Sequence, residues 1–288
     1  MNFKAYLNLM ALEDLPEWSA GPKTEEPEPL LAAIQAAGYE GVQFIAPLEA
    51  EQRRACETLG LGRCGLGRVN QPEEAAPLAE RLAGEGMECA TLHLGWGIES
   101  EDAAARLVEA VLEASSSHRL PLYVETHRAT LFQDMWRSVE LVKRFPELRF
   151  NGDFSHWYTG QEMVYGDFEE KMRFIEPVLA RVRFLHGRIG DPGSMQVDIG
   201  DGEEAAHPYV GHFRTLWRAA MAGARRAAEQ ETFLFVPELL SPRIYYGRKL
   251  KLEGGWWREE CDRWTQGLVL MRIAGQCWAE SASMAGLA

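Results

Sequence analysis

Short apolar runs alternate eight times with longer stretches whose apolar residues recur at helical spacing, and this alternation most limits what the chain can fold into. The runs cover residues 3–10, 41–46, 62–69, 88–94, 121–127, 149–154, 182–189 and 233–239. The stretches cover residues 28–37, 50–59, 73–84, 102–115, 131–145, 168–180, 209–228 and 257–274. In the fifth of them Leu131, Met135, Val139 and Val142 fall on one helical face, whereas the second has only a weak pattern. A strand followed by a helix, repeated, predicts a parallel sheet. Eight repeats in 288 residues predict a closed (β/α)8 TIM barrel, where a doubly wound sheet would need fewer units. No Pro/Gly/Ser-rich linker or change of composition divides the chain, so residues 1–288 read as one domain. The small, polar end at residues 279–288, AESASMAGLA, is expected to fray. About 20 residues between His186 and Pro208 lack helical periodicity, a length that in a compact domain points to function. Following the seventh strand, this loop is expected over the barrel mouth.

Composition narrows the partners. Hydrophobic residues at 46% and charged residues at 25% describe an ordinary globule. A net charge of −13 argues against a surface built to neutralise nucleic-acid phosphates. No apolar run approaches the roughly 18 residues of a membrane span. The first residues, MNFKAYLNLMALED, reach an acidic pair too early for a secretion signal, so a cytoplasmic protein is expected. Five cysteines, widely spaced and without C-x-x-C, read as reduced thiols and not as a zinc site.

The last four strands carry the chemistry. They end in PLYVETHR, RFNGDFSHW, RFLHGRI and FLFVPELL, each with a residue able to hold a metal: Glu125, Asp153, His186 and Glu238. Side chains alternate between the faces of a strand, so if Val124 and Leu185 face the helices, Glu125 and His186 face inward. The same parity turns Asp153 and Glu238 inward. Parallel strands put all four at the C-terminal rim, where barrel enzymes keep their chemistry. Three carboxylates and an imidazole at that distance repel unless a cation joins them. Oxygen ligands with one imidazole suit Mn2+ or Mg2+ first, then Co2+ or Zn2+.

These four residues in this order, together with D-F-S-H at residues 153–156, resemble the xylose isomerase-like TIM barrels of sugar isomerases and epimerases, relatives of the apurinic-site endonucleases. The resemblance implies one divalent ion on Glu125, Asp153, His186 and Glu238, with a sugar or polyol as small-molecule substrate. It implies isomerisation or epimerisation through an enediolate, with Glu125 and Glu238 moving protons as the catalytic pair. His156 matches a substrate-contacting histidine three residues past the metal aspartate. Ketose epimerases carry a substrate arginine six residues past the metal histidine; Pro192 stands there in this chain, and Arg188 is its expected replacement.

Further rim candidates for substrate contact are His93 and Trp96 in L-H-L-G-W-G, and His127 with Arg128 after the fifth strand. Trp157 belongs with Trp96 as a ring that either covers the barrel top or packs on a sugar. His118, His207 and His212 read as structural. The stretch G-L-G-R-C-G at residues 60–65 matches a dinucleotide fingerprint by letter, but it precedes a strand where the motif must follow one. It reads as a turn. The basic, aromatic segment RIYYGRKLK reads as a solvated loop after the eighth strand.

Alternatives to an isomerase or epimerase are a keto-inositol-type dehydratase on the same barrel, an abasic-site endonuclease, and a sugar-binding barrel without turnover. Seven histidines in all leave little for the three-metal cluster of the nucleases. Neither nucleic acid nor membrane is an expected partner, and a homo-oligomer is compatible with the sequence.

Overall fold

The structure, a computed structural model, describes residues 1–286. Eight parallel strands close into a barrel: β1 (Asn2–Asn8), β2 (Gly41–Phe44), β3 (Gly62–Val69), β4 (Ala90–Leu94), β5 (Leu122–Glu125), β6 (Phe150–Asn151), β7 (Val182–Gly187) and β8 (Thr232–Pro237). Each strand pairs with the next, and β1 closes the ring on β8 from Asn2 opposite Thr232 to Ala5 opposite Phe235. The connecting helices are α1 (Pro27–Ala36), α2 (Ala50–Leu59), α3 (Ala75–Gly84), α4 (Glu101–His118), α5 (Met135–Arg144), α6 (Ser155–Gly160), α7 (Phe168–Phe174), α8 (Glu176–Leu179), α9 (Pro208–Ala227) and α10 (Arg263–Met284).

Local chemistry fixes the ends of these elements. Ser100 caps α4 by accepting from the Ala103 backbone N–H, and Glu101 and Asp102 lie in its first turn, where carboxylates favour the helix dipole. Gly60 ends α2 in the left-handed region (φ 67°), which glycine enters without cost, so residues 60–61 are the turn into β3 and residues 62–65, expected in that turn, already belong to the strand.

Strand parity sorts the core. Val42, Val124, Leu185 and Phe235 pack outward against the helices. Tyr6, Cys64, Cys89, Tyr123, Phe184, Leu234 and Val236 fill the barrel interior. Below them the Tyr6 hydroxyl donates to Glu88 (2.7 Å), and its ring lies so close to Gly62 that a Cβ there would stand 1.8 Å from the hydroxyl. The interior is thus plugged at the bottom with apolar and aromatic groups, leaving polar inward positions only towards the top.

Several elements depart from expectation. The last helix begins at Arg263 and not near residue 257, because Trp257–Glu259 (β10) pairs antiparallel with Lys249–Lys251 (β9) and Asp262 caps the helix behind them. The segment after β8 is therefore a hairpin and not only a solvated loop. The predicted helix over 168–180 is two short helices, and α6 lies in a stretch where no helix is predicted. The end of the chain does not fray where expected: α10 runs to Met284, Ser281 is buried, and Arg225 bonds Ser281 Oγ (2.9 Å) and stacks over Trp278. The remainder of that expectation, residues 287–288, lies outside the described residues.

The long connection between β7 and α9 forms neither helix nor strand, as expected. It is pinned beside the top of β8, where the Gln196 amide both donates to and accepts from the Leu240 backbone (2.9 and 2.8 Å). All five cysteines are free, four of them buried. Among the described residues no helix is long and apolar enough to cross a membrane.

Candidate functional site

Glu125 ends β5, Asp153 follows β6 by two residues, His186 lies in β7, and Glu238 follows β8 directly. Parity carries all four inward above the apolar plug: Tyr123 below Glu125, Phe184 below His186, Val236 below Glu238. β6 is only two residues long and shifts register against β7. The chain leaves the ladder early there, and Asp153 stands at the rim. Glu125, Asp153 and His186 are fully buried and Glu238 is 5% exposed. One ligand-capable atom from each lies within 4.8 Å of the others. His186 Nδ1 lies between the two glutamates, 3.2 Å from Glu125 Oε1 and 3.5 Å from Glu238 Oε2.

A ring of uncharged polar side chains holds these groups. Asn8 Nδ2 donates to Glu238 Oε1 (3.0 Å) and to Gln43 Oε1 (2.8 Å), and the same Gln43 oxygen meets His186 Nε2 at 3.0 Å. Thr91 Oγ1 donates to Glu125 Oε2 (3.2 Å) and accepts from Asn151 Nδ2 (2.8 Å), while Asn151 Oδ1 accepts from the His186 backbone N–H (2.9 Å). Ser155 donates to Asp153 Oδ1 through both its N–H and its hydroxyl. Sequence reasoning passed over Asn8, Gln43, Thr91 and Asn151. The signal was available: each is a polar residue inside an apolar run, at the inward parity of its strand.

The electrostatics are those of crowded anions sharing few cations. Burial pushes the Glu125 carboxyl up, but His186 and His93 beside it outweigh that and hold it well below the ordinary carboxylate range. Burial likewise opposes ionisation of Asp153, and Arg188 and His156 reverse it, so this group also falls below its usual value. Glu238 goes the other way: burial raises it, and His186 and Arg188 only partly compensate. Burial alone would lower His186, yet Glu238 and Glu125 lift it to about 9. One imidazole and one guanidinium thus offset three buried carboxylates only in part. The donor set fits a divalent cation, because three carboxylates and one imidazole converge on one small volume and Asp153 Oδ2 is buried without a properly aligned hydrogen-bond donor.

The other sequence candidates gather around this cluster. His156 is buried, with Nε2 3.4 Å from Asp153 Oδ2 and neither ring nitrogen in a hydrogen bond. Arg188 points inward as predicted, but it lies on the cluster itself: Nη2 is 3.0 Å from Asp153 Oδ2 and also reaches Glu238 Oε2. His93 Nε2 is 3.3 Å from Glu125 Oε2. The rings of His93, His127 and His156 stack in sequence, with centroids 4.1 and 3.9 Å apart.

His93, Glu125 and His127 form a second convergent group, but both nitrogens of His127 are engaged, by the Arg128 carbonyl (2.5 Å) and the Tyr246 hydroxyl (3.1 Å). Trp96 is half exposed beneath Arg68, whose Cζ is 4.3 Å from the ring centroid. Trp157 is no platform at the mouth: it is fully buried and donates to the Phe132 carbonyl (2.8 Å). His207 bonds Tyr209 and His212 bonds Tyr158, as structural histidines do. Tyr246, from the basic segment after β8, was not foreseen as part of the mouth.

Neither a family model nor a curated protein matches the chain. Solved structures do. A xylose isomerase-like TIM barrel protein from Mycobacterium smegmatis in complex with magnesium is 12% identical, covers 96% of this chain and 97% of its own, and superposes with a TM-score of 0.56. A xylose isomerase domain protein from Planctomyces limnophilus is 16% identical over 90% and 94% of the two chains, with a TM-score of 0.53. The probable 3-DHS dehydratase AsbF of Bacillus anthracis is 14% identical over 83% and 92%, with a TM-score of 0.52. At these identities the likeness is one of fold, a closed eight-stranded parallel barrel ringed by helices.

Proposed function

We propose that the chain is a divalent-metal-dependent enzyme that isomerises or epimerises a sugar or a related keto-polyol. The observation that carries this reading is the convergence of Glu125, Asp153, His186 and Glu238 at the C-terminal rim of the barrel. The magnesium in the Mycobacterium smegmatis structure supports the choice of a hard divalent ion, Mg2+ or Mn2+.

Such an ion, when bound, supplies Lewis-acid polarisation of substrate oxygens. The chain's own residues do the rest. Glu125 and Glu238 come from different strands and approach His186 from two flanks. Thr91 holds one oxygen of Glu125 and Asn8 one oxygen of Glu238, so each carboxylate keeps its other oxygen turned to the centre. One glutamate removes the proton from the carbon beside the substrate carbonyl, and the other returns a proton from its own side. His156, buried and without hydrogen-bond partners, donates to a substrate oxygen. Tyr123, Phe184 and Val236, packed inside the barrel beneath the cluster, keep water from reaching the site from below.

A second reading, dehydration, is favoured by one feature. The Tyr246 hydroxyl bonded to His127 places an acid outside the carboxylate cluster, where a leaving hydroxyl could take its proton. A neighbour of the same fold bears the description of a dehydratase.

One experiment tests both: the manganese-loaded protein in heavy water with a panel of ketoses and keto-polyols, followed by NMR. Deuterium at the carbon beside the carbonyl, with an aldose or epimer formed, supports the first reading. An unsaturated product supports the second. No exchange in any compound contradicts both.

A further inference from the structure

We propose that the mouth of this barrel recognises a carboxylate on its substrate, with Arg188 and Arg128, gathered on the ring of Tyr246, as its receptor. The proposal rests on the divalent-ion reading above and narrows its substrate to a polyhydroxy or keto acid.

The two guanidinium carbons lie 4.6 and 4.7 Å from the centroid of Tyr246, so two like charges meet on one aromatic ring. Neither is fully used. Arg188 is 1% exposed, and although Nη2 reaches Asp153 and Glu238, its Nε and Nη1 have no hydrogen-bond partner. A buried guanidinium carries five donors that ask for acceptors. His156 beside it is also buried and unpartnered. Arg128 is exposed, and among the described residues no carboxylate lies within 4.0 Å of it or of Arg68, which stands close to both Glu125 and Tyr246.

The charge balance points the same way. The Glu99 carboxylate is held by the Trp96 and Gly97 backbone N–H groups (2.6 and 2.8 Å). Asp14 pairs with Arg243, and Asp191 and Glu260 both face Arg248. Arg188, Arg128 and Arg68 thus gather around Tyr246 and Glu125 on a chain whose net charge is −13. A local inversion of sign of that kind draws anions into a cleft. Arginine forks match the plane of a carboxylate.

The test compares three probes that share a carbon skeleton: xylitol, D-xylonate and xylitol 5-phosphate. Each is titrated calorimetrically into the manganese-loaded wild type, Arg128→Gln and Arg128→Lys, with bound manganese measured in every sample. Arg128 is at the surface, so these variants keep the fold. The wild type should bind xylonate about tenfold or more tighter than xylitol. Arg128→Gln should lose most of that preference while xylitol affinity and manganese content stay unchanged, and Arg128→Lys should retain part of it. Equal affinity for xylitol and xylonate, or no binding of xylonate at millimolar concentration, overturns the proposal. So does a preference that survives Arg128→Gln intact, which would make the ion the sole anion receptor, and so does a stronger preference for the phosphate. A protein that takes up no manganese fails the earlier reading instead; an Arg128-dependent preference for xylonate would then still support the receptor.

Discussion

Arg188 Nη2 lies 3.0 Å from Asp153 Oδ2 and also reaches Glu238 Oε2, so a single buried guanidinium bridges two of the four side chains that converge for a cation. The guanidinium and a divalent ion therefore compete for the same carboxylates, and their charges repel. Replacing Arg188 by Gln should raise manganese affinity about tenfold or more, read by calorimetry. It should also lower the stability of the metal-free protein by roughly 3–5 kcal/mol, the usual cost of removing one partner of a buried pair, read by denaturant melts in chelator. Unchanged or weaker manganese binding would show that the two do not share a site.

Asn8 and Thr91 each hold one carboxylate oxygen of a glutamate in the cluster. Asn8→Ala removes the donor to Glu238 Oε1, and Thr91→Val removes the hydroxyl donor to Glu125 Oε2. Each should weaken manganese binding about 10–100-fold, as loss of a ligand's hydrogen-bonding partner does at metal sites. Calorimetric titration of each variant checks this.

The barrel was readable because its signal repeats. Eight alternations of run and stretch survive local noise, and the inward parity of Glu125, Asp153, His186 and Glu238 follows from a period of two along each strand. What escaped was set by contacts between distant segments. The hairpin of β9 and β10 is stabilised by pairing across a turn, and its aromatic and basic composition gave no alternation to read. Tyr246, three residues before β9, meets His127, 119 residues earlier in the chain, and no local pattern announces that contact. Arg188 was placed inward correctly, but its bond to Asp153 depends on β6 ending after two residues, which no periodicity announces.

His127 makes stability depend on pH. Burial, and then His156, lower its folded-state value to about 2, whereas the unfolded chain takes up that proton near 6.5. The neutral imidazole therefore stabilises the fold fully above pH 6.5, and this contribution is lost as pH falls from there towards 2. Relative to His127→Gln, the wild type should lose up to about 1.4 kcal/mol per pH unit below 6.5. Urea melts of both proteins at pH 7.5 and pH 5 measure the difference; parallel behaviour would mean that His127 is protonated in the fold.

Glu125→Gln and Glu238→Gln keep an oxygen ligand and nearly the same volume but remove the base. Manganese and substrate should still bind to a substantial degree. Exchange of the substrate proton with solvent should fall by about two to four orders of magnitude, the usual worth of a positioned acid or base. Near-normal exchange in both fully loaded variants would place the base at a residue other than these two glutamates.

The central claim is that Glu125, Asp153, His186 and Glu238 hold one divalent ion. A manganese titration of the wild type and of His186→Ala, with circular dichroism to confirm that both are folded, tests it most directly. One ion per wild-type chain, with affinity lower by more than about a hundredfold in His186→Ala, is the predicted result. Equal stoichiometry and affinity in the two proteins would contradict it.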